Sequence, residues 1–165
     1  MLCYHDPAKS HRVQADQMAE TPFICNQQAL ETLAPITTAP IRHHVFVCRG
    51  TSCSAVGSAD VFAAFERELL ARGIMFGKEQ KGKNPRGSVV LTEASSVGFC
   101  AIGAAVMVYP DGIWYAQVRA GDVAEIVEEH IVQGRVVERL ALLKVPSAGK
   151  QPDTTSGMNQ VGWEA

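Results

Sequence analysis

The run Ala104–Val118 most constrains what this chain can fold into. Two β-rich segments, Ala104–Tyr109 and Ile113–Val118, flank Pro110-Asp111-Gly112. Proline presets one turn dihedral and Asp-Gly supports the reversal, so the segments are expected to close as a hairpin. Upstream, His44–Cys48 is a short β-rich run bounded by Arg49-Gly50, and Ser88–Thr92 is a second. Between them, Val61, Phe62, Phe65, Leu69 and Leu70 recur at helical spacing over Ser58–Gly73. Ser58 is the expected N-cap and Gly73 the expected C-cap. Gly77–Gly87 is a polar, basic loop. After the hairpin, Gly121-Asp122 opens a second helix with the stripe Val123, Ile126, Val127, Ile131 and Val132, which Gly134 ends. The order β-α-β-β-β-α predicts an α/β domain, a small mixed sheet with helices whose first strand–helix–strand unit is right-handed.

The dense middle, residues 43–142, is the expected domain. Residues 1–42 show no sustained period and one short helix candidate, Asn26–Leu33. Residues 143–165 are expected to be a flexible tail, because 146–165 are rich in Gly, Pro, Ser and Thr. With 165 residues, 47% of them apolar and 19% charged, the chain can bury one core. A net charge of −2 argues against a general nucleic-acid binder. No apolar run approaches the ~20 residues of a membrane span. The polar N-terminus lacks a signal-type apolar core. A cytoplasmic protein with no membrane or nucleic-acid partner is expected.

Five cysteines, Cys3, Cys25, Cys48, Cys53 and Cys100, cannot all pair internally. In a reducing compartment, clustered cysteines point to metal or redox chemistry. Cys48 ends the first strand, Cys53 precedes the first helix, and Cys100 lies in the loop after the second strand. Both loops leave neighbouring strands, so they can meet at one end of the sheet. Gly50, Gly98 and Gly103 let the backbone turn tightly and aim N–H groups at sulfur, which helps set a cluster potential. Spacing alone leaves two rivals open: buried cysteines with no metal role, and four-coordinate zinc. There is no Cys-x-x-Cys, no Gly-rich phosphate loop, no H-E-x-x-H and no G-x-S-x-G, so an independent enzyme is disfavoured.

Val106-Met-Val-Tyr-Pro-Asp-Gly-Ile-Trp-Tyr115, Asp122-Val-Ala-Glu-Ile-Val-Glu-Glu-His130 and Gly134-Arg-Val-Val-Glu-Arg-Leu140, together with the cysteine loops, make the match specific. Residues 43–142 resemble the thioredoxin-like [2Fe–2S] ferredoxins and the related small subunit of NADH dehydrogenases and NAD-linked hydrogenases. The Cys48–Cys53 spacing is similar to the small-subunit version. The resemblance implies a thioredoxin-like fold, a [2Fe–2S] cluster, one-electron transfer between redox partner proteins, and a homodimer formed through the sheet. It implies Cys48, Cys53 and Cys100 as cluster ligands. The family's remaining cysteine falls at Ser96, in Ser96-Val-Gly-Phe-Cys100. Three readings follow from that departure. Ser96 can ligate through oxygen, another group (Cys25, His43, His44 or a partner's) can replace it, or the domain is clusterless or altered and serves as a binding and assembly module of a larger redox complex.

Lys78, Lys81, Lys83 and Arg86 are either a solvated excursion or a docking patch for an acidic redox partner. His43 and His44 read as the solvated start of a strand. His130 reads as a ring near a helix C-terminus, where the dipole favours its cation. Trp114 and Tyr115 alternate on a strand, one expected in the core and the other toward a partner surface.

Overall fold

The computed structural model describes Gln28 and residues 35–145. The chain divides into two units, Met1–Ala39 and Pro40–Ala165. Among the described residues of the first, a 3-10 turn covers Pro35–Thr38. Apart from Gln28, the helix candidate Asn26–Leu33 lies outside the described residues, as do Cys3, Cys25 and everything from 146 onward.

The second unit is built on one five-stranded sheet in the order β2-β1-β3-β4-β5. The strands are β1 (His43–Cys48), β2 (Val89–Ala94), β3 (Val106–Tyr109), β4 (Ile113–Tyr115) and β5 (Ala141–Lys144). β1 and β2 run parallel, and the other three pairings are antiparallel. A parallel pair needs a crossover connection, and α2 (Ser58–Ala71) supplies it after a one-turn helix, α1 (Thr51–Ala55). The β3–β4 hairpin closes around Pro110-Asp111-Gly112 as expected. The last helix begins as α3 (Val123–Glu125) and widens into a π-helix over Ile126–Val132.

Alternation decides which face of the sheet is covered. Val45, Val47, Val106, Val108, Ile113 and Tyr115 point one way and are fully buried, packed with Val61, Phe65 and Leu69 of α2 and with Val123, Ile126 and Val127. Their neighbours His44, Phe46, Met107, Tyr109, Trp114 and Leu143 sit in register on the other face. There they are half-buried or exposed, with Tyr109 61% and Leu143 42% accessible. Tyr115 therefore takes the core role and Trp114 the open face.

Several local readings need correction. Gly57, with φ of 87°, occupies the cap position of α2, so Ser58 is carried into the first turn and its buried hydroxyl makes no cap bond. β5 continues the sheet to Lys144, past the expected boundary at 142, because Trp114 and Tyr115 pair with Leu143 and Ala141. A four-residue edge strand carries too little alternation to stand out in a sequence. His43 and His44 are not a solvated strand start. His43 Nε2 lies 3.2 Å from an Asp111 carboxylate oxygen, and His44 bonds Thr92 Oγ1 at 2.7 Å while stacking on Phe46.

His130 departs furthest from expectation. It is only 2% accessible. Its Nδ1 lies 2.8 Å from the Tyr115 hydroxyl, and its Nε2 lies 3.3 Å from the Asp111 oxygen that His43 also meets. The same hydroxyl accepts the Val137 N–H at 3.2 Å. One buried network thus ties the hairpin turn, β4, the π-helix and the following chain. Burial pushes the Tyr115 phenol up to about 12. Burial also pushes the His130 pKa down, against the pull of Asp111. The fold therefore holds the neutral ring. Its stabilising contribution is complete above the unfolded histidine value of about 6.5 and is lost as pH falls through the folded value. Denaturant unfolding at pH 7.5 and 5.5 should show wild type losing stability with acid, by at most about 1.4 kcal/mol per pH unit for this proton. His130→Gln should lose less over that interval; an equal loss in both proteins would refute the assignment.

Candidate metal centre

The parallel ladder sets the geometry of this end of the sheet. Cys48 pairs with Ala94, so β1 and β2 finish side by side and their following loops start together. The Arg49 N–H bonds the Ala94 carbonyl at 2.6 Å, which keeps the loops joined for one more residue. Cys48 itself donates its N–H to Ala105 at 3.0 Å. Cys48 and Cys53 are each 1% accessible. With Ala105 they form an apolar cluster separate from the main core, packed by Val97, Phe99 and Ile102. Phe99 in turn meets Trp114 with ring centroids 4.6 Å apart.

Two glycines make room in this cluster. A Cβ on Gly50 would stand 2.7 Å from the Ser95 carbonyl oxygen, and 3.7 Å from both Cys48 Sγ and Ser96 Cβ. Gly50 is thus where the Cys48 and Ser96 side chains come together across the two loops. A Cβ on Gly103 would stand 3.1 Å from Cys53 Cα and 3.2 Å from Cys53 Sγ. The third loop, after Cys100, therefore lies directly on Cys53.

Electrostatically the site favours sulfur anions. Burial pushes the Cys48 thiol up, but hydrogen bonds from the Gly50 N–H, the Cys53 side chain and the Val97 N–H outweigh it and hold the pKa below its ordinary value. Two backbone donors on one sulfur are the pattern that thiolates at metal centres use. Ser96 is exposed, and its Oγ accepts the Gly98 N–H at 3.3 Å, with Gly98 at φ of 87°. Cys100 opens a 3-10 turn, Cys100–Ile102, and its side chain lies outside the described residues.

The structure thus brings Cys48, Cys53 and Ser96 to one end of the sheet. Among the described residues, no three His, Cys, Asp or Glu side chains gather into a metal-holding group. The described donors are two thiols and a serine oxygen. His43 and His44, considered as substitute ligands, stand at the opposite end of β1 and are engaged by Asp111 and Thr92. The fit to an iron–sulfur group rests on the Gly50 and Gly103 cradles and on the N–H donors at Cys48. Soft thiolates suit such a group. Sequence reasoning missed Arg49, whose Nε lies 3.2 Å from Glu93 at the rim of the site. Its position beside Cys48 was the only available signal.

The sequence profile of the thioredoxin-like [2Fe-2S] ferredoxin family matches residues 36–130. A [2Fe-2S] ferredoxin of Clostridium pasteurianum is 38% identical over 101 residues, which cover 61% of this chain and 96% of that protein. The thioredoxin-like [2Fe-2S] ferredoxin of Aquifex aeolicus superposes with a TM-score of 0.52 at 34% identity, over 67% of this chain and 99% of that one. A cysteine-to-serine variant of the Aquifex protein superposes with a TM-score of 0.52 at 36% identity, over 62% and 100% of the two chains. The mixed sheet is thus a thioredoxin-like fold, and the chain belongs to the thioredoxin-like [2Fe-2S] ferredoxin family.

Proposed function

We propose that this chain is a one-electron carrier that holds a [2Fe–2S] cluster between its two loops and passes electrons between redox partner proteins, rather than an enzyme in its own right. The observation that carries the reading is the buried Cys48–Cys53 pair, with the Gly50 and Val97 N–H groups on one sulfur, in a chain of this family. A bound [2Fe–2S] centre supplies a one-electron couple. Cys48, Cys53 and Cys100 act as thiolate ligands and Ser96 as the fourth, through oxygen. The Gly98 N–H on Ser96 Oγ supports a negative oxygen there. The Aquifex serine variant keeps this fold, which makes serine at a cysteine position compatible with it. Buried cysteines such as Cys48 and Cys53 suit a reducing cytoplasm. Among the described residues no helix is long and apolar enough to cross a membrane.

Two surfaces belong to the same proposal. The open sheet face around Phe46, Met107, Tyr109 and Trp114 is apolar and uncharged, and a second copy of the chain is its occupant. Lys78, Lys81, Lys83 and Arg86 precede β2, whereas the cysteine loops follow β1 and β2. The basic loop thus stands one strand length, about 17 Å, from the site. At that distance it steers an acidic partner on approach.

Protein purified without air should absorb between about 400 and 550 nm and contain about two iron and two sulfide per chain. A colourless, iron-free protein that still binds a redox complex would favour the assembly-module reading. Ser96→Cys should raise the potential and red-shift the spectrum, because oxygen favours ferric iron more than sulfur does. Ser96→Ala should make the cluster labile, and an unchanged spectrum and iron content would remove Ser96 from the ligand set. Sedimentation should show a dimer that Trp114→Glu dissociates; a wild-type monomer would refute that pairing. Replacing Lys78, Lys81 and Lys83 by Ser should leave Tm nearly unchanged and slow electron transfer to an acidic partner most at low salt. Equal rates at low salt would dispose of the steering role.

A further inference from the structure

Cys48 follows Val47 on β1, so it turns away from the core toward the side of the sheet that carries Phe46, Met107 and Trp114. The cysteine compartment thus lies at one end of the open face. Phe99 reaches over that end from the loop between β2 and β3. It is half-buried, packs on the group of Cys48, Cys53 and Ala105, and meets Trp114 with ring centroids 4.6 Å apart and planes at 54°. The partly buried apolar residues packed on the cysteines are Val97, Phe99 and Ile102, and Trp114 of β4 reaches them through Phe99. The loop is tied to the chain after β4 a second time, where the Gln117 N–H donates to the Ile102 carbonyl at 2.9 Å.

The loop sorts its side chains by polarity. Ser95, Ser96 and Gly98 are exposed, whereas Val97 and Phe99 turn in over the thiols. Gly98, at φ of 87°, makes the reversal between them that a larger residue would resist. The Phe99 carbonyl then accepts the Ile102 N–H at 3.3 Å and starts the turn that carries Cys100. An aromatic pair inside the main core would need no reason beyond packing. This one stands apart from that core, and the ring of Trp114 keeps the ring of Phe99 over the compartment and out of solvent.

We propose that Phe99 and Trp114 form a solvent shield that lowers the potential of the [2Fe–2S] site, with Phe99 as the cover and Trp114 as the positioning residue that holds it. This rests on the carrier reading above. Reduction adds one electron from a redox partner and no proton to the group held by Cys48, Cys53, Ser96 and Cys100, so its negative charge rises by one. Water stabilises the more highly charged state, so an apolar cover that excludes water favours the oxidised one. The shield therefore acts against the Gly50 and Val97 N–H groups that face Cys48.

The test is an equilibrium redox titration, followed by visible absorption, of the anaerobically purified full chain and its variants. At a fixed applied potential, Phe99→Ala should raise the ratio of reduced to oxidised protein about tenfold, an upward shift of about 59 mV for one electron. Trp114→Ala leaves Phe99 in place without support, so it should shift the same way by about threefold. Trp114→Phe restores a ring and should return to the wild-type potential. Tyr109→Ser, on the same face at the far end of β3, should keep the wild-type potential. Packing alone would lower Tm in Phe99→Ala and Trp114→Ala and leave the potential where it was. A ratio for Phe99→Ala within about twofold of wild type overturns the shield, and a shift in Tyr109→Ser equal to that in Trp114→Ala overturns the role of Trp114. If Phe99→Ala retains no cluster, a raised potential in Trp114→Ala that Trp114→Phe restores supports the proposal, and an unchanged one overturns it. Wild-type protein without iron and sulfide would instead defeat the carrier reading on which the proposal stands.

Discussion

The parallel pairing of β1 with β2 is the constraint on which everything else depends. Its register sets Cys48 opposite Ala94, so two loops far apart in sequence begin at the same point in space. Parallel neighbours cannot be joined by a tight turn. The chain therefore has to travel through α1 and α2 before it can start β2, and that detour covers one face of the sheet. Cys53 sits in α1, on the first turn of this detour, which is why it returns to Cys48. A slip of one residue in the register would turn every buried valine of β1 outward. The core thus enforces the alignment that the site needs.

The fold keeps two apolar compartments apart. The larger lies between the sheet and the helices, and Tyr115 and His130 brace it from within. The smaller holds Cys48, Cys53 and Ala105 beneath Val97, Phe99 and Ile102. Water is largely kept from sulfur there, and low dielectric strengthens each N–H that faces it. Phe99 belongs to the loop of the smaller compartment and Trp114 to the open sheet face, so their contact joins the site to that face. The two compartments meet along β1, where Val47 faces the first and Cys48 the second.

Period and punctuation made most of the architecture legible. The hairpin around Pro110-Asp111-Gly112, the helix at Ser58–Ala71 and strands β1 and β2 each carry a local signal strong enough to survive in the fold. What escaped depends on contacts between distant residues. β5 exists because β4 offers an edge, and nothing in Ala141–Lys144 alone announces it. His130 looked like a helix-end cation because its partners, Asp111 and Tyr115, lie 19 and 15 positions away in the sequence. The π-helix follows from the same contacts, since Ile126, Val127, His130 and Ile131 are all drawn inward. At the site, Cys48, Cys53, Ser96 and Cys100 were legible as a family pattern. The donors that face Cys48 come from backbone N–H groups, which every residue but proline carries, so composition cannot reveal them.

Ser96, as the proposed fourth ligand, and the backbone N–H groups on Cys48 would act on one quantity in opposite directions. A serine oxygen is a harder, more basic donor than thiolate, so as a ligand it would favour ferric iron and draw the potential down. The Gly50 and Val97 N–H groups place their dipoles against the Cys48 sulfur and would draw it up. Their settings differ in a way that physical chemistry requires. Ser96 lies on the exposed rim, where water supplements the Gly98 N–H in stabilising a charged oxygen. The Cys48 sulfur lies inside, where each N–H that faces it acts at short range with little screening. An oxygen ligand would therefore not fix a low potential by itself. The outcome would be the balance between a solvated oxygen and the N–H groups on a buried sulfur, and the β1–β2 ladder holds both at the same end of the sheet.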